Sequence, residues 1–293
     1  MPQTPTPVIA GLSAVLDRYD GFILDLWGCL HDGVKPYPGT IDALKRLRAA
    51  GKRTLAVSNG PRRAASVAAT TAQIGIDPAL LDGILSAGEV AWQAIVDKTD
   101  PWHARLGPRA LHIGADRDVG MFEGNGLERK KKVADADFIL LTGPMDDEWT
   151  LEEHEGLLRA AQARALPMIC ANPDLDVVKG DVRMICAGAI AVRYAELGGD
   201  VVQHGKPEQA IYARALKELG VADRARVLAL GDSFHTDVAG ARRAGIDVAF
   251  IPGGIHADEL GYRPGAQPDA ASVARLAAHY AVGPTWILPE LKW

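Results

Sequence analysis

Phe22-Ile23-Leu24-Asp25-Leu26, an apolar run that carries one carboxylate and breaks at Gly28, decides the reading of this chain. Two other segments have the same form. Leu55-Ala56-Val57-Ser58-Asn59-Gly60 ends in small polar residues. Val227-Leu228-Ala229-Leu230-Gly231-Asp232-Ser233 ends in a second carboxylate, with Asp237 five residues beyond Asp232. Each reads as a buried strand with a polar end. Open parallel sheets bind ligands at the carboxyl ends of their strands. Three such ends, together with Gly205-Lys206-Pro207, predict one phosphate site assembled from distant parts of the chain.

The segments around these strands alternate with helical patterns. Thr40 to Ala50 places Ile41, Leu44 and Leu47 at helical spacing and stops at Gly51. Pro61 suits the first turn of a helix after the second strand. Near the other end, Val201-Val202-Gln203 reads as a strand, Glu208 to Leu219 as a helix, and Val227 to Leu230 as a strand. Val238 to Ala244 then reads as a helix and Val248 to Ile251 as a last strand. Strand–helix alternation predicts an α/β fold, a Rossmann-like doubly wound parallel sheet. Residues 84–199 carry an alternation of their own, with strands at Ala110 to Ile113, Phe138 to Leu141 and Met168 to Cys170. Thr150-Leu151-Glu152-Glu153 opens a helix there as a capping box. The expected organisation is therefore a core from residues 1–83 and 200–293, interrupted by an inserted α/β domain at 84–199.

The chain has 293 residues, 48% of them hydrophobic and 24% charged, with a formal net charge of -5. That is the composition of a globular protein. The basic run Arg129-Lys130-Lys131-Lys132 lies among acidic residues with no aromatic platform, so no nucleic-acid partner is expected. Three cysteines without a Cys-x-x-Cys pair indicate neither zinc nor disulfides. Met1 to Pro7 has no basic-then-apolar pattern, and no apolar stretch reaches membrane-span length. A cytoplasmic protein without a membrane partner is expected. The late cluster Trp286, Ile287, Leu288, Leu291 and Trp293 is expected to pack on the core, with a homodimer contact as the alternative.

The motifs together resemble the haloacid dehalogenase superfamily, in the capped class IIA branch that includes the nitrophenyl phosphate, pyridoxal phosphate and nucleotide phosphatases. The matching pieces are Asp25-Leu26-Trp27-Gly28-Cys29-Leu30-His31-Asp32-Gly33, Ser58-Asn59-Gly60, Gly205-Lys206-Pro207 and Gly231-Asp232-Ser233-Phe234-His235-Thr236-Asp237. Ala171-Asn172-Pro173-Asp174, inside the insertion, also resembles that branch, and the insertion falls where the family places its cap domain.

Chemistry gives these residues roles. Asp25 at a strand end suits a nucleophile that forms an aspartyl phosphate. Lys206 supplies a point charge for a phosphate oxygen. Ser58 and the backbone amides of Asn59 and Gly60 suit the remaining phosphate oxygens. Asp25 and Asp232 suit Mg2+, a hard cation that prefers oxygen ligands. The resemblance adds the backbone carbonyl of Trp27 as a metal ligand, and Asp237 as support behind the site. Asn172 and Asp174 in the cap are the candidates for reaching the leaving group. The expected activity is Mg2+-dependent hydrolysis of a small phosphorylated metabolite.

One position departs from the family. The resembled phosphatases carry a second aspartate two residues after the nucleophile, and this chain has Trp27. That carboxyl protonates the leaving oxygen, a contribution of about 10²–10⁴-fold, and indole cannot transfer a proton. Three readings follow: His31 or Asp32 replaces the acid; the substrate has a leaving group that needs no proton; or the chain is a catalytically impaired sensor of a phosphorylated metabolite.

Overall fold

Every residue of the first strand, β1 (Gly21–Leu24), is buried, as a strand covered on both faces requires. The computed structural model describes residues 6–98, 100–179 and 182–293. After β1 come α1 (Thr40–Ala49), β2 (Arg53–Ser58), α2 (Ala64–Ile74) and β3 (Gly83–Ser86). The next stretch holds α3 (Ala87–Asp97), α4 (Pro101–Ala104), β4 (Arg109–Ile113), β5 (Glu128–Lys130), β6 (Phe138–Leu141), α5 (Leu151–Gln162), β7 (Met168–Cys170), β8 (Asp176–Lys179), β9 (Val182–Ile185), α6 (Ala187–Glu196) and β10 (Val201–Gln203). The chain then runs through α7 (Gln209–Leu219), β11 (Val227–Gly231), α8 (Ala239–Arg243), β12 (Asp247–Phe250), α9 (Ala257–Leu260), α10 (Ala270–His279) and β13 (Trp286–Ile287).

These elements form two compact units. The first comprises the chain up to Ser58, Ala68–Leu85 and Lys206–Trp293. Its sheet has the order β13-β12-β11-β1-β2-β3, and the registered pairs are parallel. The second comprises Asn59–Val67 and Ser86–Gly205. Its sheet has the order β10-β7-β6-β4-β5, also parallel, and β8 and β9 form a separate two-stranded antiparallel sheet. Alternate side chains of its central strands feed two cores. Leu111, Ile139 and Met168 face one, and Ala110, Phe138 and Ile169 the other.

The α/β reading of the sequence holds, and the capping box does too. The Glu153 carboxylate accepts the Thr150 backbone N–H at 2.5 Å, one residue before α5 begins. Three expectations need correction. Val201–Gln203 pairs with β7, so this strand lies in the second sheet rather than the core. The helix after β2 begins at Ala64, beyond Pro61, and its N-terminal N–H is capped by the Glu89 carboxylate at 3.1 Å. Ile84 to Ser86, placed in the insertion by the sequence reading, belong to β3, which extends the core sheet. The late cluster does pack on the first unit, where Trp286–Ile287 adds an edge strand beside β12. No helix among the described residues is long and apolar enough to cross a membrane.

Candidate active site

In the first unit, β1 and β11 pair in register, with Leu24 opposite Leu230, and therefore end side by side. Asp25 follows β1 and Asp232 follows β11. Oxygen atoms of Asp25, Asp232 and Asp237 lie within 4.8 Å of one another, and all three residues are buried. The Lys206 ammonium, 3% exposed, sits against two of them, 2.6 Å from Asp25 Oδ1 and 2.8 Å from Asp237 Oδ1. The backbone N–H of Leu26 also donates to Asp25 Oδ1, at 2.8 Å. Both donors use the same oxygen. Neither of these two donors uses Oδ2.

Glycines make the room for these carboxylates. A Cβ on Gly231 would lie 2.1 Å from Asp237 Cγ, and one on Gly254 would lie 1.8 Å from Asp232 Oδ2. Gly28 combines a φ of +81° with a would-be contact of 2.0 Å to the same Asp232 oxygen. Asp237 itself belongs to a π-helical turn, Phe234–Val238, of the kind often found at functional sites. The buried Tyr212 hydroxyl donates to the Asp237 backbone carbonyl at 3.2 Å and steadies this turn.

Three buried carboxylates against one ammonium leave an excess of negative charge. Burial is the main cause that pushes the Asp25 carboxyl well above its usual range; Lys206 opposes it, while Asp237 and Asp232 add to it. A cation bound among these oxygens relieves that charge. A hard divalent ion of the magnesium or calcium type fits the donor set, which is all oxygen. Tyr37, which the sequence reading did not single out, feels the same field. Burial first, and then the Asp232 charge, hold its hydroxyl protonated.

The loop after β1 folds around Trp27. A Cβ on Gly33, whose φ is +87°, would lie 2.3 Å from the indole, so glycine is what lets the ring pack there. The His31 ring meets the indole edge-on, with centroids 5.7 Å apart. His31 Nδ1 accepts the Gly33 N–H at 3.0 Å, and Asp32 Oδ1 accepts the N–H groups of Val34 and Lys35, each at 2.8 Å. Burial pushes the His31 pKa down to about 4, against a smaller pull from Asp32. Burial also pushes Asp32 up, but the backbone donors from Lys35 and Val34 outweigh it and hold the carboxyl below its usual value.

His112 and His204 are likewise pushed down to about 4, chiefly by burial. With His31 they make the fold sensitive to acid. Unfolding lets each ring titrate near 6.5, so the unfolded state gains protons first and stability falls as pH drops from about 6.5 towards 4. At pH 5 the loss is about 2 kcal/mol for each ring. Urea midpoints measured from pH 7.5 to 5 should decline accordingly, and His112→Gln should flatten the slope. A pH-independent midpoint would contradict the assigned burial.

The other sequence candidates lie at the end of β2 and in the second unit. Ser58 ends β2, half-buried. Asn59 donates its side-chain amide to Asp174 Oδ1 at 2.7 Å, and Asn172 Oδ1 accepts the Asp174 N–H at 3.0 Å. Gly205 packs so closely that an added Cβ would meet Asn59 Oδ1 and the Pro173 ring, each at 2.6 Å. The structure thus brings Asn59, Asn172, Asp174 and Gly205 together, a coupling that sequence spacing did not foretell. Gly60 accepts the Gly88 N–H at 3.1 Å through its carbonyl.

Comparison with known proteins agrees with this architecture. The haloacid dehalogenase-like hydrolase model matches residues 22–128, and a HAD-hydrolase-like model matches residues 203–279. A crystal structure of a haloacid dehalogenase-like family hydrolase from Brucella suis superimposes with a TM-score of 0.83. It is 33% identical and covers 97% of this chain and 100% of its own. The chain belongs to the haloacid dehalogenase-like hydrolase family. Among other members of this family group, chronophin from Rattus norvegicus is 26% identical over 84% of this chain and 80% of its own length. D-glycerol 3-phosphate phosphatase from Mycobacterium tuberculosis is 25% identical over 84% of this chain and 66% of its own length. In this chain the cluster of Asp25, Asp232 and Asp237 lies next to the ends of β1 and β11.

Proposed function

We propose that this chain is a Mg2+-dependent phosphatase that acts on a small phosphorylated metabolite through an aspartyl phosphate on Asp25. The convergence of Asp25, Asp232 and Asp237 around Lys206 carries the proposal. The names of the relatives support it, since one is a phosphatase of glycerol 3-phosphate.

In this reading Asp25 Oδ2 attacks phosphorus as the bond to the leaving oxygen breaks, while Lys206 and the Leu26 N–H hold Oδ1 and fix the carboxylate's orientation. Water then hydrolyses the aspartyl phosphate to inorganic phosphate and free Asp25. The phosphate oxygens are held by Lys206, Ser58 and the backbone N–H groups of Asn59 and Gly60. Asp25, Asp232 and the Trp27 carbonyl would hold the Mg2+, which supplies charge neutralisation at the transferring phosphoryl group. Asp237 keeps Lys206 in place. The second unit serves as a cap that selects the substrate. Asn172 and Asp174 act there, and the Asn59–Asp174 hydrogen bond links their turn to the phosphate loop.

Trp27 decides which substrates turn over well. Asp32 accepts two backbone N–H bonds as an ionised turn carboxylate, so it has no proton to give at neutral pH. His31 is neutral there and is spent on the Gly33 N–H. We therefore assign both to the turn and favour a substrate whose leaving group departs without a proton. Without a general acid worth about 10²–10⁴-fold, alkyl phosphates lose that factor while aryl and acyl phosphates keep their rate. A series of phosphate esters assayed with Mg2+ should show rates falling steeply as the leaving-group pKa rises. Trp27→Asp should shallow that dependence. A flat wild-type series that His31→Ala or Asp32→Asn makes steep would sink the proposal and identify the acid. Mg2+-dependent binding of phosphorylated compounds with no turnover of any ester would favour a sensor instead.

A further inference from the structure

His256 is a buried histidine, 7% exposed, that the reaction above does not use. It lies on the loop after β12, and its contacts reach back to the loop after β11. The ring Nε2 accepts the backbone N–H of Phe234 at 3.2 Å. Phe234 opens the π-helical turn that carries Asp237, and the first N–H groups of a helical turn have no partner within it. One residue before His256, the Ile255 N–H donates to Asp232 Oδ2 at 2.6 Å.

These two hydrogen bonds close a ring. Asp232, Ser233 and Phe234 form one side and Ile255 with His256 the other, so each loop holds its partner at two points. The Ile255 bond pins Oδ2 of Asp232, a carboxylate whose ligand atom lies within 4.8 Å of those of Asp25 and Asp237. The His256–Phe234 bond keeps the Ile255 N–H where it can do so. Gly254 makes the approach possible, since a Cβ there would overlap Asp232 Oδ2.

The ring itself is held on several sides. Its Nδ1 lies 3.0 Å from Glu259 Oε2 on the following turn. Because Nε2 accepts, the proton resides on Nδ1 and is donated to Glu259. Phe234 and Tyr280 meet the imidazole edge-on, with centroids 5.7 and 5.8 Å away. An imidazole so confined serves as a fixed acceptor.

We propose that His256 is a positioning residue for Asp232, which orients that carboxylate for the metal through the two-bond clasp. The proposal rests on Asp232 being a metal ligand. Groups behind a metal ligand typically contribute 10–100-fold to metal affinity. The test compares two substitutions of similar polarity and different reach. His256→Gln places an amide oxygen near the former Nε2 position and can still accept the Phe234 N–H. His256→Asn ends too short to do so.

Mg2+ affinity of the whole chain is measured by titration calorimetry, with melting temperature and phosphate ester hydrolysis in parallel. His256→Gln should bind Mg2+ within about threefold of wild type, and His256→Asn should bind about tenfold or more weakly. Turnover at limiting Mg2+ should fall with affinity, and saturating Mg2+ should restore most of it. A merely structural histidine would lower the melting temperature of both variants alike and leave the affinities equal, which would overturn the proposal. Asp232→Asn separates the two levels of the argument. If it abolishes Mg2+ binding while His256→Asn does not weaken it, only the clasp is refuted. If Asp232→Asn binds Mg2+ normally, the metal assignment is refuted and the clasp with it.

Discussion

Asp25→Asn will give a folded protein whose turnover of any phosphate ester is lower by at least about 10⁴-fold, the scale seen when a catalytic nucleophile is removed. The substitution is close to isosteric. The amide oxygen can keep the Oδ1 position and both of its donors, Lys206 and the Leu26 N–H. What changes is the other atom: a carboxylate oxygen able to attack phosphorus becomes an amide nitrogen that is not. Stability should hold or rise, because burial disfavours the ionised carboxyl and the amide carries no charge to desolvate. Turnover of 4-nitrophenyl phosphate and the melting temperature, measured on the same preparation, check both halves. Activity within tenfold of wild type would exclude Asp25 as the covalent nucleophile.

Lys206→Met has the second large effect, on stability as well as rate. The lysine is the cation between Asp25 and Asp237, all three groups are buried, and methionine matches its length without its charge. Removing one partner of a buried ion pair costs about 3–5 kcal/mol, because the charge left behind is uncompensated. Urea denaturation without added metal should show a loss of that size, with no detectable turnover. Millimolar Mg2+ should recover part of the stability, since a ligand bound only by the folded state raises it by mass action. Wild-type stability in Lys206→Met would mean that the ammonium is not the countercharge assigned here.

The parts of this protein legible in its sequence are those fixed by short-range chemistry. Buried parallel strands must be apolar on both faces, so β1, β2 and β11 announce themselves, and the carboxylates at their ends stand out against that background. Asp25 and Asp232 stand out this way, and in the structure they lie together with Asp237 and Lys206. Sheet membership was harder. Val201–Gln203 is only three residues long, and nothing in so short a run tells it to pair with Met168–Cys170 rather than with the core.

Contacts between distant loops were illegible for a related reason. That Asn59 would donate to Asp174, or His256 accept from Phe234, depends on loop paths no local pattern encodes. Gly231 and Gly254 are each required because a carboxylate occupies the space of the missing side chain.

The sheet order also sets a timetable for synthesis. Strand β1 lies at the centre of the first sheet, between β2, made soon after it, and β11, made near the end. Asp20, just before β1, is tied to Arg226, just before β11, across a separation of 206 residues. At roughly 5–20 residues per second, the first strand waits about ten to forty seconds on the ribosome for its partner. Meanwhile the strands of the second sheet all emerge between Arg109 and Gln203 and can pair among themselves. A nascent chain from which Gln203 has left the ribosome but Val227 has not would therefore hold a complete second sheet and an apolar β1 whose flank is open. That intermediate is where chaperone binding or aggregation should concentrate.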